Sequence, residues 1–396
     1  MNYLDFNCSI NVEKNPLNLN INDYLDLALR NNLKRRFLFI SKNLGKHIPV
    51  SPNKVDELGL LLSRAYKEKF KNYESEKQLV IGFAETATCL SHSFFNYLET
   101  SEFFIHTTRE NINSFEKIEF KEEHSHATEQ ILYVDNLVKV NDINTIILVD
   151  DEITTSKTCI NMIEKLREKY SVEKYVIVSM LNWIDKKRQE EINEISRSFN
   201  IDIEYVYLFG GNFTFEFDEN QAIEDKIQIT EDVENDIKIN YISLDFEEYL
   251  TLKRYIKYTG RFGITRDEQE KLKKIISREA IKLNSIKTYN KVLAIGIEEF
   301  MYIPMMLSKE LNGDVYYHSI TRSPIIAMNK DSYPIKKKYK MKSFYNDNIN
   351  YLYNVNIHNC EECFLFLEVC KDEQRIKDLI KLLKHTGIKI VNVVMC

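Results

Sequence analysis

The stretch IILVDDEITTSKT, residues 146–158, joins an unbroken apolar run to two adjacent aspartates and a hydroxyl-rich segment. An apolar run rich in β-branched residues predicts a strand that is buried on both faces, as strands of parallel sheets are. The amphipathic pattern that follows predicts a helix over about 158–170. Three further β-rich runs, at 77–83, 102–106 and 175–181, alternate with helical stretches. The chain is therefore predicted to form βαβ units of an α/β fold with a mainly parallel sheet.

Landmarks of the first half of the chain recur in the second half at offsets of about 213–218 residues. Gly82, at the end of a predicted strand, recurs as Gly296, and Arg109 recurs as Arg322. This repetition predicts two tandem α/β domains with mainly parallel sheets, the second a degenerate copy of the first. The alternative is two unrelated α/β domains with ordinary strand–helix spacing. The predicted units are a first domain at 1–185, a connecting segment at 186–250 and a second domain at 251–396.

The composition excludes several classes of protein. The 396 residues are 44% hydrophobic and 29% charged, which excludes a disordered or fibrous chain. The net charge of −6 argues against a non-specific nucleic-acid binder, so no nucleic acid is expected as a partner. No apolar stretch approaches the roughly 20 residues of a membrane helix, and the first residues lack the pattern of a secretory signal. The seven cysteines are scattered and odd in number, so we expect a soluble cytoplasmic protein with reduced thiols.

The segment after the apolar run combines groups that suit a sugar phosphate. Residues 154–158 supply hydroxyl groups at a helix start, where unpaired backbone N–H groups and the helix dipole favour a phosphate. Asp150 and Asp151 lie at the carboxyl end of the strand, where open α/β sheets bind ligands. Carboxylates on sugar hydroxyls and amides on a phosphate suit a ribose 5-phosphate. The alternative is an acidic N-cap and capping box ahead of an ordinary helix.

The segment LVDDEITTSKT resembles the phosphoribosyl-pyrophosphate (PRPP) binding signature of type I phosphoribosyltransferases. That signature has a hydrophobic strand, two acids, two hydrophobic residues and then Thr-Thr-Gly, and this chain departs from it at Glu152 and at Ser156-Lys157. More narrowly, the chain resembles the phosphoribosyltransferase-like proteins of tellurite-resistance (ter) stress clusters, which carry a C-terminal TRSP domain. The stretches that carry this resemblance are SKNLGKHIPVSP (41–52), GFAETATCLSHSFF (82–95), HTTR (106–109), EEHSHAT (122–128), GRFG (260–263), IGIEEFMYIP (295–304) and TRSP (321–324).

The resemblance implies a Mg²⁺-dependent transfer of phosphoribose from PRPP to a nucleobase-like acceptor, with a nucleoside monophosphate and pyrophosphate as products. Asp150 and Asp151 would bind the ribose hydroxyls and lie near Mg²⁺, as ligands or indirectly. The 5-phosphate loop would be formed by Thr154, Thr155, Ser156, Lys157 and Thr158. The pyrophosphate would be held by Ala84, Glu85, Thr86 and Arg109. For Arg109 the alternative is a surface arginine without a ligand.

Two further segments gain roles from the resemblance. Residues 122–126 lie where such enzymes have a mobile lid, and Glu123 and His124 would assist departure of the leaving group. The alternatives for this segment are a metal cluster or a plain polar loop. A basic set would form part of the hood over the acceptor, unless its members are simply solvated: Lys42, Lys46 and His47. Cys360 and Cys363 are predicted to be core or surface thiols in preference to a zinc site.

The second half is predicted to be unable to make the same sugar-phosphate site. Val369 stands where the first half has an acid, and the Thr-rich loop is absent. Polar residues at its predicted strand ends still outline a pocket, namely Glu298, Glu299, Thr321, Arg322 and Ser323. That pocket would serve another ligand, the acceptor or only the domain interface. For the whole chain, the alternatives to the transferase are a PRPP-sensing regulatory protein without turnover and a pure scaffold, and a homo-oligomer is left open.

Overall fold

Strands and helices alternate along most of the chain. The computed structural model describes all residues except 1, 4–5, 33–34, 113–114, 122–128, 135–142, 218–224, 226, 229–235 and 250–251. The helices are α1 (Pro52–Lys69), α2 (Ala87–Tyr97), α3 (Lys157–Arg167), α4 (Lys186–Phe199), α5 (Arg266–Ile286), α6 (Tyr302–Lys309) and α7 (Glu373–Lys384). The strands of the first half are β1 (Asn2–Tyr3), β2 (Phe6–Lys14), β3 (Leu25–Leu29), β4 (Phe37–Ser41), β5 (Gln78–Gly82), β6 (Ser101–His106), β7 (Lys117–Lys121), β8 (Glu129–Tyr133), β9 (Thr145–Ile153), β10 (Lys174–Asn182) and β11 (Asp202–Phe217). Those that follow are β12 (Lys238–Ser243), β13 (Glu248–Tyr249), β14 (Leu252–Ile256), β15 (Ile264–Thr265), β16 (Lys291–Gly296), β17 (Asp314–Ser319), β18 (Lys338–Lys342), β19 (Ile349–Tyr353), β20 (Glu362–Leu367) and β21 (Ile390–Met395).

The first sheet has eight strands in the order β1-β2-β11-β10-β9-β5-β6-β15. The five strands from β11 to β6 run parallel to one another, with β9 at their centre. Ile146 to Val149 of β9 are each at most 1% exposed, which confirms the predicted burial of this strand. The strands predicted at 77–83, 102–106 and 175–181 are confirmed as β5, β6 and β10. The prediction of an α/β fold with parallel strands is therefore confirmed.

The side chains of β9 alternate between two hydrophobic layers. Ile147 and Val149 share one buried cluster with Leu90 and Phe94 of α2. Ile146 and Leu148 belong to the opposite layer, which contains the apolar side of α3. Helices on both faces are what a parallel sheet needs, because neither face of such a sheet is exposed to water. No helix in the described part of the chain combines the length and the apolar character needed to cross a membrane.

The second sheet has five parallel strands in the order β12-β21-β20-β16-β17. When β16, β17, β20 and β21 are matched with β5, β6, β9 and β10, the two sheets have the same strand order and direction. The hairpin β18–β19 also takes the place in the chain order that β7–β8 has in the first half. The fifth strands differ in origin, because β11 follows β10 in the chain whereas β12 precedes β16. The strand order agrees with a duplication, while a degenerate second domain stays a prediction.

The first sheet includes part of the predicted connecting segment. Within residues 186–250, α4 and β11 form, and β11 pairs with β10 on one side and with β2 on the other. The boundary predicted at residue 185 therefore does not mark the end of the first sheet. The register shifts between Gly210 and Gly211, and β11 continues through both glycines as one bulged strand.

The two halves exchange the segments that precede their long helices. Val50, just before α1, forms two backbone hydrogen bonds with Tyr317 of β17, at 3.0 and 2.7 Å. Reciprocally, β15, just before α5, pairs with Phe103 and Phe104 of β6 in the first sheet. Helices α1, α2 and α5 all pack against α6, and one hydrophobic cluster contains residues of both halves. Each half is therefore completed by backbone that belongs to the other half.

Two glycines permit this exchange because each brings backbone against an aromatic ring. Gly45 has a φ of +66°, and a Cβ there would lie 2.7 Å from Cδ1 of Tyr317. Gly260 has a φ of +88°, and a Cβ there would lie 2.4 Å from Cε1 of Phe104. Both positions need glycine for the left-handed backbone and for the close approach.

We expect Gly260→Ala to destabilise the protein more than Gly387→Ala. Gly387 has a φ of +90°, so both variants carry the strain of a left-handed alanine. A Cβ at Gly387 would have its nearest neighbour at 4.0 Å, whereas one at Gly260 would overlap Phe104. Urea unfolding should show an additional loss of about 1–3 kcal/mol for Gly260→Ala, since overpacking adds to the strain. Equal losses in the two variants would contradict the tight contact between the halves.

Candidate active site

The two adjacent aspartates lie where β9 extends beyond its neighbour β5. Gly82, the last residue of β5, pairs with Val149, so Asp150 and Asp151 project past the end of β5. On the other side β10 accompanies β9 to its end and pairs Ser179 with Asp150. The acidic pair therefore lies at the carboxyl edge of a central parallel strand, with one flank free of strand pairing.

The two carboxylates interact with each other and also with different neighbouring groups. The N–H of Asp151 donates to Oδ1 of Asp150 at 2.9 Å. The charge of Asp150 acts on Cys159 in α3, whereas Asp151 is influenced by Lys46. Burial raises the pKa of Asp151 to about 6, although a hydrogen bond with Asp150 and the charge of Lys46 lower it. The charge of Glu152 also raises the pKa of Asp151, so Glu152 and the more weakly acting Lys46 have opposite effects on this carboxylate.

The predicted 5-phosphate loop connects β9 to the start of α3. Ser156 is left-handed, with φ 57° and ψ 10°, and α3 begins at Lys157. The capping-box alternative is wrong, because the Ser156 side chain makes no capping bond to the helix. The N–H of Lys157 donates to Oγ1 of Thr155 at 3.4 Å. The other N–H groups in the first turn of a helix have no partner within the helix, and a phosphate at a helix start accepts hydrogen bonds from such groups. The structure brings the predicted residues of this loop together: Thr154, Thr155, Ser156, Lys157 and Thr158.

Two residues that the sequence analysis missed hold this loop. Arg188 in α4 donates from Nε to the carbonyl oxygen of Thr155 at 2.7 Å. Tyr205 in β11 donates from its hydroxyl to Oγ of Ser156 at 3.1 Å. Both come from the segment that was predicted as a connection, and neither contact has a local sequence signal.

The departure from the family signature at Glu152 has a structural partner. Arg35, which precedes β4, donates from Nη2 to Oε1 of Glu152 at 2.5 Å. The extra acid at the end of β9 is therefore paired with a cation from the N-terminal region. A signature compared residue by residue does not contain this partner, because Arg35 lies more than a hundred residues away in the chain.

The loop after β5 is fixed by side chains from neighbouring strands. The N–H of Ala84 donates to Oγ1 of Thr107 at 2.8 Å, and Nε2 of Gln130 donates to the carbonyl oxygen of Ala84 at 2.7 Å. The prediction that Ala84 offers its backbone amide to pyrophosphate is corrected, since Thr107 already accepts from this amide. Thr86 lies at the N-cap of α2 without a side-chain capping bond. Gln130 was not singled out from the sequence.

Glu85 forms a buried cluster with cations from both halves. Nζ of Lys46 contacts Oε1 of Glu85, and Nε of Arg322 lies 3.6 Å from Oε2. The side chains of Lys46 and Glu85 are only 1% and 7% exposed. Burial would raise the pKa of Glu85, but the charges of Lys46, Arg322 and Arg109 together lower it below its ordinary value. Glu85 is therefore an ionised carboxylate surrounded by positive charge.

The predicted hood residues do not all lie together. Lys46 belongs to the cluster with Glu85, and His47 next to it is buried. Lys42 lies at the surface, where its Nζ donates to the carbonyl oxygen of Asn22 at 2.8 Å. The prediction of one basic set is therefore corrected for Lys42, which lies at the surface, whereas Lys46 and His47 are buried and the charge of Lys46 acts on His47.

The predicted second-half pocket lies on the interface with the first half. Glu299 accepts hydrogen bonds from Oγ1 of Thr108 at 2.6 Å and from the N–H of Arg109 at 2.8 Å. Glu298 accepts from Oγ of Ser343 at 2.8 Å. The remaining predicted members, which lie at or beside this interface, are Thr321, Arg322 and Ser323. Three roles were predicted for this pocket: binding another ligand, binding the acceptor, or forming the domain interface. The contacts of Glu299 with Thr108 and Arg109 support the domain interface.

The position in the second half that matches the acidic pair is closed by an ion pair. Glu368, which directly follows β20, accepts two hydrogen bonds from Nη1 of Arg261, at 2.9 and 2.8 Å. The two side chains are 0% and 1% exposed. Arg261 follows Gly260 just as Lys46 follows Gly45, so the two cations occupy matching places in the chain. In the second half the cation and the acid are paired to each other.

The predicted lid residues and the two cysteines of the Cys360–Cys363 motif are the remaining residues that the sequence analysis singled out. Glu123 and His124 lie outside the described residues, as does the rest of segment 122–126. Cys360 and Cys363 are buried thiols, and burial raises the pKa of both. Within the described ranges, no cluster of three or more histidine, cysteine, aspartate or glutamate residues could hold a metal ion.

We expect Arg261→Met to lower the free energy of unfolding by about 3–5 kcal/mol, because it leaves the buried Glu368 carboxylate without a counter-charge. The double variant Arg261→Met, Glu368→Leu should recover most of this loss, since both charges are then replaced by apolar groups. Urea unfolding of the three proteins measures both effects. A double variant no more stable than Arg261→Met would contradict the closed ion pair.

The acid sensitivity of folding should depend on His47. Burial lowers the pKa of His47 to about 3, and the charges of Lys46 and His318 act in the same direction. An unfolded histidine titrates near pH 6.5, so the unfolded state binds the extra proton between about pH 6.5 and 3. This stability is therefore present above pH 6.5 and lost as the pH falls. We expect His47→Gln to reduce the slope of unfolding free energy against pH by up to about 1.4 kcal/mol per pH unit between pH 6 and 4. Urea unfolding at several pH values measures this slope, and a slope equal to that of the wild type would contradict the prediction.

Solved structures that are similar to this chain include adenine phosphoribosyltransferases, and the similarity is low. The adenine phosphoribosyltransferase from Leishmania donovani is 15% identical over 38% of this chain and 64% of its own, with a TM-score of 0.29. The enzyme from Rhodothermus marinus is 13% identical over 47% and 94%, with a TM-score of 0.32. The enzyme from Giardia lamblia complexed with 9-deazaadenine is 12% identical over 48% and 94%, with a TM-score of 0.33. This chain thus spans slightly less than two thirds of the Leishmania protein.

Family models assign both halves of the chain. The model for a phosphoribosyl transferase matches residues 24–212, and the model for the TRSP domain at the C terminus of that transferase domain matches residues 258–383. No curated protein matches the sequence significantly. Because the two matches together span more than three quarters of the chain, the protein belongs to the phosphoribosyl transferases that carry a C-terminal TRSP domain.

Proposed function

We propose that the first half transfers phosphoribose from PRPP to a nucleobase-like acceptor and releases pyrophosphate. The observation that carries this proposal is the edge of β9, where two acids lead into an uncapped turn at the start of α3. The chain's phosphoribosyl transferase domain supports phosphoribosyl transfer in general. The substrate and product named here are our inference from the chemistry of the edge.

Each part of PRPP has a matching group at this edge. The 5-phosphate would accept from the first-turn N–H groups of α3 and from the hydroxyls of residues 154–158. Asp150 and Asp151 would accept hydrogen bonds from the ribose hydroxyls. The pyrophosphate would extend towards Glu85 and its cations, because Lys46 acts on both Glu85 and Asp151. The substrate would then span the carboxyl ends of β9 and β5.

In the proposed reaction the bond between C1 of ribose and pyrophosphate breaks, and its electron pair leaves with pyrophosphate. A nitrogen of the acceptor forms the new bond to C1 and gives up a proton to solvent. Negative charge grows on the leaving group, so the buried cations near Glu85 would stabilise it more in the transition state than in the ground state. The first half would thus contribute orientation and positive charge.

The aspartates fit the proposed Mg²⁺. Carboxylate oxygens are suitable ligands, and Mg²⁺ usually takes one or two of them together with substrate phosphates and water. The described residues hold no larger ligand group, so we propose an ion shared between Asp150 or Asp151 and the substrate. When bound, Mg²⁺ would neutralise charge on the pyrophosphate.

One buried donor beside the phosphate loop supports a polar, planar acceptor. The backbone N–H of Trp183 donates to the carbonyl oxygen of Ile153, so Trp183 lies next to the loop that begins at Thr154. Its ring lies 5.3 Å from that of Phe39 and 5.5 Å from that of Phe213. Nε1 of Trp183 is buried without a hydrogen-bond partner in the described structure. A ring nitrogen or carbonyl oxygen of the nucleobase-like substrate would accept a hydrogen bond from this indole N–H group.

We further propose that the second half is a degenerate copy of the first. Its matching strand order supports this origin. The Arg261–Glu368 pair fills the place that the acidic pair leaves open in the first half. The second half would therefore bind no PRPP of its own.

We expect the double variant Asp150→Asn, Asp151→Asn to bind PRPP on the order of a hundredfold more weakly than the wild type in the presence of Mg²⁺. Each lost charged contact is worth roughly 1.5–3 kcal/mol. Calorimetry with PRPP measures the affinity. Asp202→Asn is the matched control and should bind PRPP like the wild type, because Asp202 is exposed at the amino ends of the parallel strands of the same sheet. Unchanged affinity in the double variant would rule out the proposed roles.

Turnover separates the enzyme from the regulatory alternative. Wild-type protein incubated with PRPP, Mg²⁺ and a panel of nucleobases should release pyrophosphate with at least one of them. Tight binding of PRPP without release for any acceptor would support a PRPP-sensing protein instead.

A further inference from the structure

The two halves place matching arginines against each other's carboxylates. The N–H of Arg322 donates to Oε1 of Glu85 at 3.3 Å, and the N–H of Arg109 donates to Oε1 of Glu299 at 2.8 Å. Each glutamate lies three residues after the glycine that ends the first core strand of its half. Each arginine follows the second core strand of the opposite half. The contact is thus reciprocal, and Arg322 reaches the edge of the first half from outside it.

The guanidinium of Arg322 is largely buried but loosely held. Its Nε lies 3.6 Å from Glu85, and its Nη2 lies 3.6 Å from Glu298, with 16% of the side chain exposed. Charge-assisted hydrogen bonds are about 2.7–2.9 Å long, so neither contact is a hydrogen bond. Nε of Arg322 has no hydrogen-bond partner in the described part of the chain. Arg261, by contrast, makes two bonds to one carboxylate at 2.8 and 2.9 Å.

The backbone around Arg322 is rigidly held although its side chain is not. The N–H of Thr321 donates to the carbonyl oxygen of Tyr351 at 3.0 Å. Oγ1 of Thr321 accepts from the N–H of Ser323 at 3.2 Å, and the hydroxyl of Tyr353 donates to the carbonyl oxygen of Ser323 at 2.6 Å. The loop is therefore fixed on both sides of Arg322, and the guanidinium lies at the interface with an Nε that has no acceptor among the described residues.

We propose that Arg322 of the second half binds the diphosphate group of the first half's substrate, so that the active site is built from both halves. This inference rests on the proposed function, and it assigns Arg322 to a phosphorylated ligand of the other half. A guanidinium has the fork geometry that two phosphate oxygens accept. Lys46 offsets the charge of Glu85 from the other side, which reduces the repulsion between this carboxylate and a diphosphate.

The test compares ligands that do and do not carry a diphosphate. Inorganic pyrophosphate, PRPP and ribose 5-phosphate are titrated by calorimetry, with Mg²⁺, into the full-length wild type and Arg322→Gln. We expect Arg322→Gln to bind pyrophosphate and PRPP about tenfold or more weakly. Its affinity for ribose 5-phosphate should stay within twofold of the wild type, because that ligand uses the loop before α3. Arg322→Lys should lie between the two, since it keeps the charge and loses the fork.

Arg375→Gln is the matched control. Arg375 belongs to the second half, its side chain is 14% exposed, and its partners are Asp347 and Asp372 at 3.3 Å. It should bind all three ligands like the wild type. Wild-type affinities for pyrophosphate and PRPP in Arg322→Gln would overturn this inference and leave the proposed function standing. Equal weakening for all three ligands would also overturn it, whereas a wild type that binds no PRPP would overturn the proposed function itself.

Discussion

The exchange of leading segments between the halves is the constraint on which the rest of the structure depends. Val50 is bonded to β17, and β15 is bonded to β6, so each sheet carries a short antiparallel segment from the other half. Gly45 and Gly260 let these segments turn against aromatic rings. The residue that follows each glycine is a cation, and the exchange is what places that cation at the strand ends. The charge clusters at the interface are therefore a consequence of backbone pairing.

The same architecture gives an open site in one half and a closed site in the other, and the difference lies in the chemistry of the two cations. Nη1 of Arg261 donates to both oxygens of Glu368, and the two side chains are almost fully buried. Lys46 is a point charge and contacts one oxygen of Glu85. A ligand can therefore compete for the charges of the first half, whereas in the second half it would have to break a fully buried pair.

The parts of this structure that the sequence predicted are those that depend on local pattern. β9 and its neighbours follow from apolar runs, and the turn at Ser156 follows from hydroxyl residues between a strand and a helix. The place of β11 in the first sheet was not predicted, because the signal for it is not local. The stretch around Gly210-Gly211 is β-rich, but its pairing with β2 and β10 depends on segments elsewhere in the chain.

The residues of the candidate site could likewise be predicted only where a local sequence pattern marks them. Asp150 and Asp151 were found because they directly follow a buried strand, but no local pattern shows that the charge of Lys46, about a hundred residues away, acts on Asp151. The grouping of Lys42 with Lys46 failed for the converse reason, since nearness in the chain does not fix a shared environment. Contacts such as Arg188 with Thr155 depend on how α4 packs, which is a tertiary property.

A buried N–H group without a hydrogen-bonded acceptor costs free energy, because it loses water without replacement. Nε of Arg322 carries this cost although the loop backbone is bonded on both sides of the residue, so the cost does not come from poor packing of the loop. Retaining such a group is typical of a site that satisfies it only when a ligand is present. The exchange of segments brings the loop that contains Arg322 to the edge of the first sheet, where a ligand of the first half could accept from this group. On this view the TRSP domain contributes a group that the first half does not supply from its own strands, and the two halves form one functional unit.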